Sequence, residues 1–234
     1  PSIPPILQVA GGAGVSRDRV EASVFYLRAI RNESRWSPVL LWRLSTDPAL
    51  YEDLTLRIGR GDPKAAYVWA GLVARGFDRR LTEKQALELL LRAASDGMTD
   101  ALLELAMWHY AGYVVPADAR MADSLMRSAA ELGSREARLR LMMTALRAGA
   151  DYPIGSGLVD TLSAMQMEGS VLAQVMLGYC SKGGRGVPAD IPRAVAFYRK
   201  AAQRGSRIAF EALRILYDGR RPPDPEFSVE EAGE

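Results

Sequence analysis

The chain has 234 residues, 48% of them hydrophobic and 25% charged, which suits one large or two small folded domains and excludes wholesale disorder. A single Cys excludes an internal disulfide scaffold, and a formal charge of +2 gives no case for a nucleic-acid binder. The longest uncharged windows, Pro1–Ser16 and Ser170–Ser181, fall short of the roughly 18 apolar residues that cross a bilayer, so no transmembrane segment is expected. There is no initiator Met and no charged-then-apolar leader, which points to a mature or truncated product from which any signal peptide is already gone.

In chain order, residues 1–16, broken by Pro and Gly, read as a flexible segment. Residues 17–60 read as a degenerate helical cap. Within it Glu21–Ala29 matches Arg193–Ala201 and predicts a helix that has lost its partner. A short helix near Pro38–Leu44 and a longer one near Pro48–Arg60 follow. From Gly61 the sequence turns periodic: Gly61, Gly97, Gly133, Gly169 and Gly205 recur every 36 residues. Four residues after each stands an alanine (Ala65, Ala101, Ala137, Ala173, Ala209), and four further on Trp69, Leu105, Leu141, Leu177 and Leu213. Val115-Pro116-Ala117-Asp118 returns as Val187-Pro188-Ala189-Asp190. Self-similarity at this period means a solenoid over residues 61–221, each unit burying its apolar face by stacking on its neighbours. Residues 222–234 form an acidic tail with Pro222, Pro223 and Pro225.

Inside a unit both periods are helical. Helix A runs from the alanine, with apolar residues at the spacing of Ala173, Leu177 and Cys180. A turn containing Gly76, Gly112 or Gly184 follows, and helix B opens at Thr82, Asp118 or Asp190. Thr82 with Gln85 has the spacing of a capping box. Helix B alternates small residues (Ala86 and Ala93, Ala122 and Ala129, Ala194 and Ala201) with bulky ones between them. That alternation brings two helices close while filling the gap. The periodic glycine ends helix B, where a positive φ is wanted. The fourth unit departs, Ala148–Pro153 replacing the usual turn.

One unit carries a family pattern. Ala173-x3-Leu177-Gly178, then Gly184-x-Gly186-Val187-x2-Asp190-x2-Arg193-Ala194-x2-Phe197-Tyr198-x-Lys200-Ala201-Ala202-x2-Gly205, resembles the Sel1-like repeat, a relative of the tetratricopeptide repeat. The likeness covers roughly Asp62–Gly219 and is degenerate before Gly61. It implies an all-α, right-handed α/α superhelix of about five units that serves as a scaffold or adaptor for other proteins. Exported bacterial members act in envelope pathways, so the resemblance implies a periplasmic or otherwise exported location, with the cytoplasm left open. Cys180, alone, excludes the subgroup that pairs cysteines within each repeat.

With core positions 1, 5 and 8 on helix A, counted from the alanine, positions 3, 7 and 10 point the opposite way at 100° per residue. In the tetratricopeptide relatives those positions line the concave groove. Here they place Tyr67, Leu103, Met107, Tyr110, Leu139, Met143, Leu146, Val175, Tyr179 and Lys182 on a face expected to be wet, a partner-binding surface for another protein or a peptide. The alternative is that neighbouring A helices or a terminal segment bury them.

Candidates for chemistry are few. His109 takes an aromatic position of the repeat and reads as a packing residue; Cys180 lies on the core side of its helix. No His/Cys cluster suggests a metal, and no cofactor is expected. Gly11-Gly12-Ala13-Gly14 and Gly183-Gly184-Arg185-Gly186 look like phosphate loops by composition alone, since neither follows a strand and a Walker-type Lys-Ser/Thr is absent. Asp151 and Asp160 read as solvated surface. The tail from Pro222 holds five acids and no base, leaving Pro1–Arg221 with thirty bases against twenty-three acids, a net +7. Such a body could be steered towards an acidic partner or an anionic polysaccharide. A non-catalytic adaptor is therefore expected, the competing reading being a carbohydrate-processing accessory protein or hydrolase with an unrecognised site. Nucleic acid is not an expected partner, and the sequence does not set the oligomeric state.

Overall fold

The structure, a computed structural model, describes residues 18–32, 34, 36–147 and 157–219. The two terminal segments, the Ala148–Pro153 turn and Asp151 lie outside the described residues. Among the described residues all regular structure is helical, in two compact units, 1–150 and 151–234. The first holds α1 (Arg19–Arg31), α2 (Ser37–Ser45), α3 (Pro48–Gly59), α4 (Pro63–Ala74), α5 (Glu83–Ser95), α6 (Thr99–Ala111), α7 (Ala119–Glu131) and α8 (Arg135–Arg147). The second holds α9 (Gly157–Met167), α10 (Val171–Gly183), α11 (Ile191–Gln203) and α12 (Arg207–Asp218).

Local chemistry explains where these helices start and stop. The A helices are α4, α6, α8, α10 and α12, and each begins two residues ahead of its alanine rather than at it. The reason for four of them is a capping side chain: Asp62 accepts from Lys64 N, Ser134 from Ala137 N, Ser170 from Ala173 N and Ser206 from Ala209 N. Thr82 and Gln85 close the capping box that opens α5. All five periodic glycines have positive φ, between 78° and 97°, the conformation their position past the end of a B helix requires.

Each unit is built from helix pairs. In the first, α4 packs on α5 and α6 on α7, and Leu102, Leu103 and Ala106 share a buried cluster with Ala122, Met126 and Ala129. In the second, α10 packs on α11, around Val175, Ala194, Tyr198 and Ala201. Burying a side chain the size of Leu90 or Met126 contributes roughly 1.5–3 kcal/mol, so the repeated pairs are the main source of stability. The cap helices α1, α2 and α3 appear where the sequence put them. Helix α1 packs on α2, α3 and α4, with Leu27 seated on Gly71.

A second close approach occurs at Gly178. A Cβ there would stand 2.5 Å from Cε1 of Tyr198, whose ring is fully buried and packs edge-on to Tyr179. Gly178→Ala sets a helix-propensity gain of about 1 kcal/mol against an overpacking cost of about 1–3 kcal/mol. The ring has no exposed direction in which to retreat, so overpacking wins. Chemical denaturation followed by circular dichroism should show the variant less stable by about 1–2 kcal/mol, with Tyr198→Leu added to it recovering part of the loss.

Candidate partner-binding face

The ten groove positions divide by burial. In the first unit Tyr67, Leu103, Leu139 and Met143 are buried, Met107 is half-buried and Tyr110 is exposed. In the second unit Val175 is buried, Tyr179 half-buried and Lys182 exposed. Leu146 lies on α8, and its side chain is outside the described residues. The expectation that this whole face is wet is thereby corrected. At position 3 every apolar member is covered, and in the first unit a cause is α1.

Helix α1 is matched in charge to the first turns of three A helices. The residue just before the alanine is Lys64 on α4, Asp100 on α6 and Glu136 on α8. Lys64 donates to Glu21 at 2.7 Å, Arg28 donates to Asp100 at 2.6 Å, and Arg31 donates to Asp100 at 2.6 Å and to Glu136 at 2.9 Å. Arg31 also donates to the Tyr67 hydroxyl at 3.0 Å and lies 3.8 Å from Glu104, while Arg140 donates to the Arg31 carbonyl. The Arg31 side chain is only 3% exposed. Acids in the first turn also meet the positive end of the helix dipole.

The electrostatics follow from this enclosure. Burial alone drives the Asp100 and Glu136 carboxyls upward, but Arg28 and Arg31 on the first, and Arg31 and Arg140 on the second, outweigh it and hold both below the usual range. Burial likewise works against the Arg31 charge, which the Glu136 and Asp100 carboxylates more than restore. Burial keeps the Tyr67 hydroxyl protonated far above its ordinary range. Sequence reasoning missed this network. Its one legible trace is that the residue before each alanine is charged in three units and apolar in two, Leu172 and Ile208.

What stays accessible in the first unit lies further along the A helices. Met107, Tyr110 and Met143 border a cleft of about 240 Å³ with Asp123, Leu141 and Thr144. Tyr110 donates to Asp123, and burial together with that carboxylate pushes its hydroxyl up to about 12. His109 is half-buried with Nδ1 3.3 Å from the Pro116 carbonyl, and Cys180 is buried with its thiol pushed up by burial. Among the described residues no group of His, Cys, Asp and Glu could hold a metal ion, and no helix is long and apolar enough to cross a membrane.

Comparison with known proteins bears on the same residues. The family model for the Sel1 repeat matches residues 10–34, 79–98, 99–134 and 171–206, half of the chain. No curated protein matches the sequence. Among solved structures, a Sel1 repeat protein from Oxalobacter formigenes is 27% identical with a TM-score of 0.54, the match covering 90% of this chain and 63% of that one. A protective antigen present in uropathogenic Escherichia coli strains, displaying an SLR fold, is 21% identical with a TM-score of 0.57, covering 91% and 47%. The chain thus spans less than two thirds of either. The match over 10–34 reaches into the region read as degenerate: Gly11-Gly12-x-Gly14-Val15-x2-Asp18 repeats Gly183-Gly184-x-Gly186-Val187-x2-Asp190, and both aspartates cap their helices by accepting from the third backbone N–H. The Gly11-Gly12-Ala13-Gly14 run thus lies in sequence register with the repeat.

Two outcomes follow from the buried guanidinium. Arg31→Met should cost about 3–5 kcal/mol in urea denaturation, because three carboxylates are left with too little positive charge. The unfolded chain takes up protons on Asp100 and Glu136 before the folded one does, since both are held low in the fold. Their contribution is therefore complete above the unfolded carboxylate range, about pH 4, and is lost as the pH falls from there through the lower folded values. Denaturation from pH 7 to 3 should show this loss in the wild type, and a smaller penalty for Arg31→Met at the acid end.

Proposed function

The chain belongs to the Sel1 repeat family, and on that footing we propose that it is a non-catalytic scaffold holding partner proteins on the A-helix face of its repeats. Sel1 repeat solenoids commonly serve as protein-interaction scaffolds. The observation that carries the reading is the contrast along that face: the first-turn end is closed by α1, while Met107 and Tyr110 remain accessible beside an open cleft. An aromatic with a polar tip beside a flexible thioether suits an interface where one end is dry and the other wet. The occupant that fits is an extended or helical peptide segment offering an apolar anchor. Tyr179 and Lys182 occupy the same register in the second unit and belong to the proposed surface there. A periplasmic or otherwise exported location is part of the proposal, and fractionation of the native organism checks it.

The sites to alter are the accessible ones, because Leu139 and Met143 are buried and substitution there would confound folding with binding. Peptides selected from a displayed random library on the wild-type protein should lose at least tenfold in affinity, about 1.4 kcal/mol, against Met107→Lys combined with Tyr110→Ala. Circular dichroism establishes that the double variant is folded. Selected peptides that bind both proteins equally would overturn the assignment of the face.

A further inference from the structure

Helix α2 carries an unexplained surface. Trp36 at its N-cap is 73% exposed, Val39 47% and Trp42 53%, three large apolar side chains within seven residues, while Ser37, Leu41 and Ser45 on its opposite side are buried. Monomeric proteins rarely leave such a patch bare without a use for it. We propose that this face is a docking surface for a proline-containing apolar segment, and that its occupant in this chain is the chain's own residues Pro1–Val9.

Three observations point to that occupant. The first is position. Arg19 donates to Asp47 at 2.7 Å, and Asp47 lies two residues past Ser45, so the N-terminal end of α1 stands beside the Trp42 end of α2. The second is reach. Helix α2 has nine residues and spans about 14 Å, a length that four or five residues of Pro1–Val9 cover at about 3.1 Å each in a polyproline conformation. The third is chemistry. Pro1–Val9 has no charged side chain and offers Ile3, Pro4, Pro5, Ile6, Leu7 and Val9. Pro4 and Pro5 bar a helix of the A type, which the repeat register would otherwise place just before the Gly11–Asp18 turn. They favour an extended polyproline conformation instead, which loses little entropy on docking and seats its rings on tryptophan.

Fluorescence reads the contact directly, since Trp36 and Trp42 are exposed while Trp108 is buried and Trp69 half-buried. In the full chain, Ile3→Glu, Ile6→Glu and Leu7→Glu together should shift the emission to the red and raise quenching by acrylamide. Neither change should appear when Trp36→Phe and Trp42→Phe are already present. A synthetic peptide of residues 1–10 added to the triple variant should reverse the shift in a saturable manner. Unchanged emission and quenching in the triple variant would overturn the proposal. So would a shielding in the wild type that disappears on dilution, which would assign the face to a second copy of the chain.

Discussion

A guanidinium taken out of water must meet carboxylates where water was, and the first unit is arranged around one that has been. Arg31 stands among Asp100, Glu104 and Glu136, and each of the three belongs to a helix that would otherwise touch only its neighbours in the stack. Repeat arrays are held by nearest-neighbour interfaces, so units can open one at a time. One side chain bridging α6 and α8 from α1, with its hydroxyl partner Tyr67 on α4, adds a coupling that skips neighbours. Replacing such a cluster by apolar residues would not necessarily weaken the fold, because desolvation consumes much of the Coulomb gain. What the cluster secures is register. Only one placement of α1 aligns Glu21 with Lys64, Arg28 with Asp100 and Arg31 with Glu136.

That placement decides what the A-helix face can do. The stripe that an isolated solenoid would present along its length is divided in the first unit. Towards the first turns, Tyr67 and Leu103 are core residues in all but name; towards the last turns, Tyr110 reaches solvent and hydrogen-bonds Asp123 on α7. A partner approaching this unit therefore meets the C-terminal halves of the A helices, not their full length. The acids at the first turns are already neutralised, so they offer a basic ligand little.

Periodicity made the repeat legible because it is local: an alanine, a leucine four residues on and a glycine with positive φ each answer to a constraint within one helix or one turn. The side-chain caps answer to the same local logic, with Ser134, Ser170 and Ser206 each three residues before the alanine whose N–H they accept. Helical phase shows which residues point away from a core but not what covers them. Leu103 and Leu139 are where the phase puts them and are buried regardless. The Arg31 network was out of reach for a different reason. Arg31 and Glu136 are 105 residues apart, and no local rule links them. Gly11-Gly12-Ala13-Gly14 resembles a phosphate loop by composition alone, and comparison at a fixed offset from Gly183 sets it in the register of the repeat.

One register position shows how finely the repeat controls packing. Position six of helix A, counted from the alanine, is Ala70 on α4, Ala106 on α6 and Gly178 on α10, and these three helices each pack closely on a B helix of their own unit. On α8 and α12 the same place holds Met142 and Arg214. Side chains of that size do not allow the approach that Gly178 permits to Tyr198. Its neighbours in the register agree. Ala66, Leu102 and Gln174 are buried at the second position, whereas Phe210 is exposed; at the ninth, Val73 and Ser181 are buried and Tyr217 is exposed, with Arg199 donating to its hydroxyl. Arg214 turns instead to Glu211 and Asp218 on its own helix. A small residue at position six thus accompanies each of the tight pairs α4–α5, α6–α7 and α10–α11.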